Sequence, residues 1–346
     1  MPTPVKRRTT AGSPAPGHEQ PGRAPPAGDK EGTMKLTMRP YEAEDFWRVR
    51  AFLRGTFLMN GRYETNWQCY RWEYWVWHGV ANLDEGPLKE KVFIWETPDG
   101  DIASVLNGEG KGNAHIQIHP EFRTEELEDE MMAVAEERHR TVAKDGKTKV
   151  AVWASAQDEL RTGLLERRGF EKGKWVCHDR WMTLDDGVPE PVVPDGFAVK
   201  AMGDGAELLE RCYTSGLAFH PGDPKCAHEN REDITWYRNI QKAPLYRRDL
   251  DIVAVAPDGA VASFCTIWFD DITLTAACEP VATAPRFQRK GLATACIHEG
   301  MRRARDMGAL LGHVGSMEEH AHRCYASAGF TDYVVSEQWV KEIEAG

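Results

Sequence analysis

Two basic side chains and a glycine lie together in the segment Gln288-Arg-Lys-Gly-Leu-Ala293. An apolar stretch over 275–283 predicts a strand before this segment, and Pro285 ends that strand. Apolar residues at helical spacing from Ala293 onward predict a helix that begins within it. Because a helix N-terminus carries unpaired N–H groups and partial positive charge, these residues would cradle a pyrophosphate. The alternative is an ordinary strand-to-helix turn that uses glycine for its backbone geometry.

A second motif, Tyr325-Ala-Ser-Ala-Gly-Phe330, follows further along the chain. The order of strand, Q-x-x-G-x-A loop, helix, strand and Y-x-x-x-G-F resembles the GNAT superfamily of acetyl-CoA-dependent N-acyltransferases, over residues 194–343. The acyl-CoA signature of that superfamily is matched by Gln288, Gly291 and Ala293, and its C-terminal signature is matched by the second motif. Two motifs in the same order and at the same spacing make the resemblance specific.

The resemblance implies a fold, a co-substrate and a set of binding residues. The fold would be α/β (α+β), with a mixed, mostly antiparallel twisted sheet flanked by helices. Acetyl-CoA would bind where two parallel strands splay apart, and no metal would be needed. Backbone groups of one strand would pair with the pantetheine arm, and the basic loop would hold the pyrophosphate. The implied cofactor-binding residues are Val281, Ala282, Thr283, Gln288, Arg289, Lys290, Gly291, Leu292, Ala293 and Thr294.

Three side chains are candidates for proton transfer. The resemblance places Tyr325 where the superfamily has its general acid, near the thioester sulfur. Glu279 precedes the pantetheine-pairing residues in an apolar strand, where burial should raise the pKa of its carboxyl toward neutrality and suit it to act as a base. His313 is the second candidate base, since an imidazole titrates near neutral pH. Each residue also has a purely structural alternative. Tyr325 would pack on the sheet, Glu279 would form an ion pair at the sheet edge or between the domains, and His313 would be a core histidine.

The pattern of elements occurs twice along the chain. Pro98-Asp-Gly100 and Pro257-Asp-Gly259 each mark a turn between two predicted strands, and Leu165-Glu-Arg-Arg-Gly-Phe170 corresponds to the second motif. The repeat length indicates a domain duplication rather than a solenoid.

We therefore predict two tandem GNAT-like domains. They span 34–186 and 195–346 and are joined by a linker over 187–194. Residues 1–33 are rich in Pro, Gly and Ala without apolar periodicity, and we predict that they form a disordered tail.

The N-terminal copy differs where chemistry would occur. Aligning Pro120 with Pro285 places carboxylates at three positions of the basic loop, and these would repel a pyrophosphate. The replacements are Glu125 for Lys290, Glu126 for Gly291, Glu128 for Ala293 and, at the general-acid position, Leu165 for Tyr325. We predict that this copy does not catalyse the reaction and instead supports the fold or shapes the substrate pocket.

Two further segments bear on the acceptor site. Trp67, Tyr70, Tyr74 and Trp77 recur at helical spacing, which predicts a core or domain-interface helix, with a wall of the substrate pocket as the alternative. The polar segment over 220–232 predicts an irregular loop, in a region that borders the acceptor site in the superfamily. It contains Cys226-Ala-His228, which we interpret as a coincidence rather than a metal pair.

Composition limits the partners. The net charge is −11, and because residues 1–33 contribute +2, the remainder carries −13. An acidic body argues against a nucleic-acid or membrane partner and suits a cationic substrate. The eight cysteines are scattered without a CxxC pair, which predicts reduced thiols and a cytoplasmic location.

The sequence thus predicts an N-acyltransferase that moves an acetyl group from acetyl-CoA to the primary amine of a small molecule. The amine would attack directly, with Glu279 or His313 as base and Tyr325 as acid. The alternative is a protein that binds acyl-CoA or another protein without turnover. The chain would be a monomer or a homodimer, and the sequence leaves open the acceptor and the length of the acyl group.

Overall fold

The computed structural model of the chain describes residues 35–63, 66–83, 85–185 and 187–343. The predicted tail, 1–33, lies outside the described residues. Of the helices in the described ranges, none has both the length and the apolar character needed to cross a membrane.

The N-terminal half alternates strands and helices. Its strands are β1 (Thr37–Pro40), β2 (Val92–Glu96), β3 (Ile102–Gly108), β4 (Asn113–Ile118), β5 (Thr141–Val142), β6 (Thr148–Ser155) and β7 (Glu171–Thr183). Its helices are α1 (Asp45–Met59), α2 (Cys69–Tyr74), α3 (Leu88–Lys91), α4 (Glu125–Arg138) and α5 (Glu159–Arg167). A π-helical segment, Trp75–Val80, continues α2, and a 3-10 turn, Pro120–Phe122, precedes α4.

The C-terminal half repeats this order. Its strands are β8 (Ala198–Ala201), β9 (Asp251–Val255), β10 (Val261–Asp270), β11 (Thr275–Thr283), β12 (Leu311–Ser316) and β13 (Asp332–Glu342). Its helices are α6 (Ala206–Phe219), α7 (Pro224–Glu232), α8 (Thr235–Ile240), α9 (Leu292–Asp306) and α10 (Glu319–Ser327). The 3-10 turn Pro285–Phe287 precedes α9 as Pro120–Phe122 precedes α4, which agrees with the alignment of the two prolines.

The predicted loop over 220–232 is wrong in its second part, because α7 occupies Pro224–Glu232. Asp223 accepts hydrogen bonds from the N–H groups of Lys225 and Cys226, and Pro224 stands at the first helical position. These are strong helix-start signals. The apolar pattern missed the helix because Ala227 is its only buried residue.

One mixed sheet contains all thirteen strands of the described ranges. Antiparallel pairs dominate, and the parallel pairs are β4 with β6 and β11 with β12. The strand order is β1-β2-β3-β4-β6-β13-β7-β12-β11-β10-β9-β8, with β5 beside β6. The predicted fold class is confirmed.

The two halves exchange their last strands. β7 ends the N-terminal half but pairs with β12, while β13 ends the C-terminal half but pairs with β6. The two exchanged strands also pair with each other over most of their length. A cut at the predicted linker would therefore remove one strand from the sheet of each half.

Helix α9 packs closely on the sheet of the C-terminal half. Its buried residues include Ile297, Met301 and Ala304, which lie on the predicted apolar face. A Cβ atom at Gly300 would lie 2.4 Å from Cγ1 of Ile267 on β10, so only glycine allows this approach. The close contact fixes where the N-terminus of α9 stands relative to β11.

Candidate active site

The N-terminus of α9 presents backbone N–H groups in a strained, exposed loop. Arg289 and Gly291 both have positive φ, at 61° and 78°, and Gly291 is in the left-handed region. The first hydrogen bond of the helix runs from Ala295 N–H to the Gly291 carbonyl, so the N–H groups of residues 292–294 precede it. A loop in which residues of positive φ alternate with residues of negative φ turns its N–H groups inward and forms an anion-binding concavity. The dipole of the 15-residue helix adds positive potential at the same point.

Strands β11 and β12 pair in parallel over three residues and then separate. The pairs are Thr275 with Leu311, Ala276 with Gly312 and Ala277 with His313. On its other edge β11 remains paired with β10, where Val281, Ala282 and Thr283 stand opposite Cys265, Phe264 and Ser263. Among the described residues, the edge of β11 that faces β12 has no strand partner beyond Ala277. The structure thus brings the predicted pantetheine-pairing residues to an open sheet edge that leads to the N-terminus of α9.

A bulge in β11 presents Glu279 at this opening. The register shifts so that Glu279 and Pro280 stand opposite the single residue Thr266 on β10. Trp268 donates a hydrogen bond from Nε1 to the backbone carbonyl of Glu279 at 2.5 Å. Bulges re-aim side chains next to active sites, and this one is held by a buried tryptophan.

The carboxyl of Glu279 is poised near neutral pH. The pKa of this carboxyl is raised to about 7, with burial as the largest cause; the charge of Glu109 adds to the increase and the charge of Arg71 opposes both. Arg71 lies on α2 and Glu109 on the connection from β3 to β4, and their side chains form an ion pair of 2.6 Å. The N-terminal half therefore places two charges within electrostatic reach of a residue of the C-terminal half.

Tyr325 lies on α10, buried in the same core cluster as the start of α9. Burial raises the pKa of its phenol well above the usual value, and the carboxylate of Glu279 is the next largest cause. The two predicted proton-transfer groups are thus close enough to influence each other.

His313 has a different environment. Its ring lies 5.7 Å from that of Phe57, which comes from α1 of the N-terminal half. Burial lowers the pKa of the imidazole to about 3, and Nε2 has no hydrogen-bond partner in the described ranges. Because such an imidazole takes up a proton only in strong acid, this geometry favours Glu279 as the base.

The sequence did not identify Arg71 and Glu109, because neither lies near a motif. The indirect signal was the aromatic stripe that surrounds Arg71. As predicted for an interface helix, Tyr70, Tyr74 and Trp77 pack against a core cluster formed mainly by the C-terminal half. Trp67, the first residue of the predicted stripe, instead precedes α2 and is buried in a core cluster of the N-terminal half. The ring of Tyr74 lies 5.8 Å from that of Trp268, beside the Glu279 carbonyl.

The corresponding loop of the N-terminal half is closed by its own side chains. Glu128, at the position of Ala293, is fully buried and pairs with Arg123 at 2.6 Å and with Arg161 at 2.8 Å. Asp158 completes the network at 2.6 Å from Arg123. This network fills the position that corresponds to the exposed loop before α9 in the C-terminal half. Within the described part of the chain, no group of three or more His, Cys, Asp or Glu residues is placed to hold a metal ion.

Comparisons with known proteins agree with this architecture. Residues 207–330 match the family model of the acetyltransferase (GNAT) family. The fold is similar to that of a GCN5-related N-acetyltransferase from Sphaerobacter thermophilus, with a TM-score of 0.61 and 17% identity, over 91% of this chain and 98% of that one. It is also similar to a tandem GNAT protein from the clavulanic acid biosynthesis pathway, with a TM-score of 0.62 and 15% identity, over 90% and 100% of the two chains.

A GNAT-family acetyltransferase from Colwellia psychrerythraea is similar at a TM-score of 0.54 and 13% identity, over 88% of this chain and 100% of that one. No curated protein matches the chain. At these identities the solved structures establish the fold, and the family match covers most of the C-terminal half. Together they show that the C-terminal half contains a GNAT acetyltransferase domain and that the fold of the chain is similar to that of a tandem GNAT protein.

Proposed function

We propose that the chain transfers an acetyl group from acetyl-CoA to the primary amine of a small molecule, and that the C-terminal half carries out the reaction. The observation that carries this proposal is Glu279. It stands on a bulge where two parallel strands separate, and the pKa of its carboxyl is about 7. A base with that pKa is half ionised at neutral pH, which suits removal of a proton from an ammonium group.

The residues around the opening fit acetyl-CoA. The open edge of β11 at Val281 and Thr283 can pair with amide groups of the pantetheine arm, as one strand pairs with another. The N–H groups at the start of α9, together with the exposed Arg289 and Lys290, suit the pyrophosphate. The same part of the N-terminal half is filled by the Glu128 network, so we assign one cofactor site to each chain.

In the proposed mechanism Glu279 takes a proton from the acceptor's ammonium group, and the neutral amine attacks the thioester carbonyl carbon. The new C–N bond forms as the C–S bond breaks, and Tyr325 donates its phenolic proton to the departing thiolate. The acylated nitrogen then loses its extra proton, which restores the Tyr325 phenol, and Glu279 releases the proton it took to solvent. The sheet and α9 hold the thioester against the amine and so reduce the entropic cost of their encounter.

Proton uptake by one group assists proton release by the other. The negative charge of Glu279 contributes to the raised pKa of Tyr325. When Glu279 becomes neutral by accepting the amine's proton, that contribution disappears and the pKa of Tyr325 falls. The phenol is then a stronger acid at the stage at which the thiolate needs a proton.

Tyr325→Phe is expected to lower kcat by roughly 100-fold or more while the Kd for acetyl-CoA stays within about twofold, because only the proton donor is lost. Steady-state release of CoA and calorimetric titration measure the two quantities. Tyr63→Phe, at a half-exposed tyrosine of the N-terminal half, is the control. Unchanged turnover in Tyr325→Phe would exclude Tyr325 as the acid.

Glu109→Gln is expected to shift the acidic limb of the pH profile of kcat/KM to lower pH by roughly 0.5–1 unit. The limb reports ionisation of Glu279, and removing a neighbouring negative charge lowers the pKa of that carboxyl. Arg71→Gln should move the limb in the opposite direction, because it leaves the charge of Glu109 uncompensated. A limb that moves in neither variant would show that Glu279 does not control the profile.

A further inference from the structure

Arg211 is a buried charge without a hydrogen-bond acceptor. It lies on α6 with 0% of its surface exposed. Its Nε, Nη1 and Nη2 atoms are all buried, and none has a hydrogen-bond partner within the described residues. A guanidinium group carries five N–H donors in a planar fork. A buried donor without an acceptor costs free energy, so three such nitrogens on one side chain are unusual in a core.

Aromatic rings stabilise part of the positive charge of Arg211, but they do not supply acceptors for its N–H groups. The Cζ atom of Arg211 lies 3.9 Å from the ring centroids of both Tyr237 and Phe264. Ring faces attract the cation, whereas strong N–H hydrogen bonds need oxygen acceptors. Asp251 lowers the electrostatic cost from a distance, but its carboxylate already accepts hydrogen bonds from the hydroxyl groups of Tyr237, Tyr246 and Thr266.

Arg211 adjoins a closed circuit of aromatic side chains, which we call the aromatic cage. Consecutive members have ring centroids 5.0 to 6.4 Å apart, and both halves of the chain contribute. In order around the circuit they are Tyr74, His78, Trp236, Tyr237, Tyr246 and Trp268. Trp77 packs against the same core cluster, and its buried Nε1 donor also has no partner within the described ranges.

The aromatic cage connects Arg211 to Glu279. Trp268 donates its hydrogen bond to the Glu279 carbonyl, and its ring contacts that of Tyr74. Burial is the main cause of the raised pKa of the Tyr74 phenol; the charge of Glu279 also raises it and that of Arg211 lowers it, so Tyr74 lies within electrostatic range of both groups. Burial and the charge of Arg211 lower the pKa of His78 to about 4, so this ring is neutral and leaves Arg211 as the cation of the cage.

We propose that Arg211 binds a carboxylate of the acceptor, so that the substrate class is amines that also carry a carboxylate. The amine would lie at Glu279, the carboxylate would accept N–H bonds from the Arg211 guanidinium, and the aromatic cage would enclose the atoms between them. A planar guanidinium matches a carboxylate in a bidentate pair, which is its strongest geometry. This inference rests on the proposed function, because it specifies the acceptor of the same reaction.

The experiment compares amino acids with their primary amides, which match them in size but lack the negative charge. Tyrosine and lysine, each with its amide, are titrated calorimetrically into the protein and then assayed with acetyl-CoA by release of CoA. In the wild-type protein the acid of each pair should bind tighter and react with a kcat/KM at least tenfold higher. Arg211→Met should lower the kcat/KM of the acids by about 100-fold and that of the amides much less, so that each acid loses its advantage over its amide. Arg211→Lys, which keeps the charge but not the fork, should retain part of the preference.

Two outcomes would overturn this assignment. One is an equal loss for acids and amides in Arg211→Met, as expected if Arg211 only supports the stack of Tyr237 and Phe264. The other is that the wild-type protein binds neither member of a pair or does not distinguish them. Titration of each variant with acetyl-CoA verifies that it is folded. The wild-type titration with acetyl-CoA tests the proposed function separately, since the cofactor can bind even if Arg211 has no part in the acceptor site.

Discussion

Gly291→Glu is expected to weaken the binding of acetyl-CoA by about 100- to 1000-fold. The left-handed backbone at φ 78° costs a side-chain-bearing residue roughly 1–2 kcal/mol of folding stability, which does not itself lower the affinity. A carboxylate about 4 Å from a phosphate oxygen adds about 4 kcal/mol of repulsion at an effective dielectric constant of 20. Since 1.4 kcal/mol is a factor of ten in affinity, the loss should be plain in a calorimetric titration, even if the side chain partly turns away.

The glycine at the other end of α9 provides a matched control. Gly308 also has a positive φ, at 104°, and at both glycines a Cβ atom would meet no other atom within 4 Å. Gly308→Glu therefore carries a comparable backbone cost and the same charge, but it lies a helix length away from the loop. The two variants should unfold at similar temperatures and differ in affinity. Equal affinities would mean that the loop does not hold the pyrophosphate.

Glu279→Gln is expected to lower kcat/KM by roughly 100- to 10,000-fold, the range in which a general base contributes. Glutamine keeps the size of the side chain but cannot accept the amine's proton. The residual activity should lose the acidic limb near pH 7, since the group that titrates there is gone. The affinity for acetyl-CoA should change little, because the carboxylate faces the acceptor in this account.

Glu190→Gln is the control for this substitution. Glu190 is an exposed carboxylate that pairs with Arg302 on the surface of α9, and its loss should leave kcat/KM and the pH profile unchanged. Rates for the two variants at several pH values suffice for the comparison. If Glu279→Gln retained both its rate and the acidic limb, another group would have to be the base.

The local pattern of the sequence was sufficient for much of the C-terminal half. Three short-range signals were available in this region: Pro285, Gly291 and the helical spacing of apolar residues from Ala293. In the structure they mark the end of a strand, a residue in the left-handed region and the start of a helix, in that order. The duplication was visible for the same reason, because each half repeats the same turns and motifs. Periodicity reports which face of an element is buried, and this was enough to predict the fold class.

Long-range pairing was not visible in the sequence. β7 and β13 each complete the sheet of the other half, and nothing in their composition indicates this. The alternation of apolar and polar residues shows that a segment is a strand, but it does not show which strands lie beside it. The ion pair of Arg71 and Glu109 comes within electrostatic range of Glu279 only because the strands of the two halves pair in this way. His313 was a candidate base from its position, and its burial against Phe57, which lowers the pKa of the imidazole, could not be read from the sequence.

In the proposed function the N-terminal half contributes side chains rather than a second reaction. Its own loop is closed by the buried carboxylate of Glu128, whereas aromatic residues of α2 and the π-helical segment after it pack against a core cluster formed mainly by the other half. Duplication followed by loss of one binding loop would free that half to shape the acceptor site. Besides burial, Glu109 raises and Arg71 lowers the pKa of Glu279, the proposed base, and Tyr74 with His78 forms part of the aromatic cage.

Calorimetric titration of the purified protein with acetyl-CoA is the most direct test of the central claim, that the C-terminal half alone binds the co-substrate. We predict one site per chain with micromolar affinity. Absence of binding would contradict the proposed function, and two sites per chain would contradict the assignment of the N-terminal half.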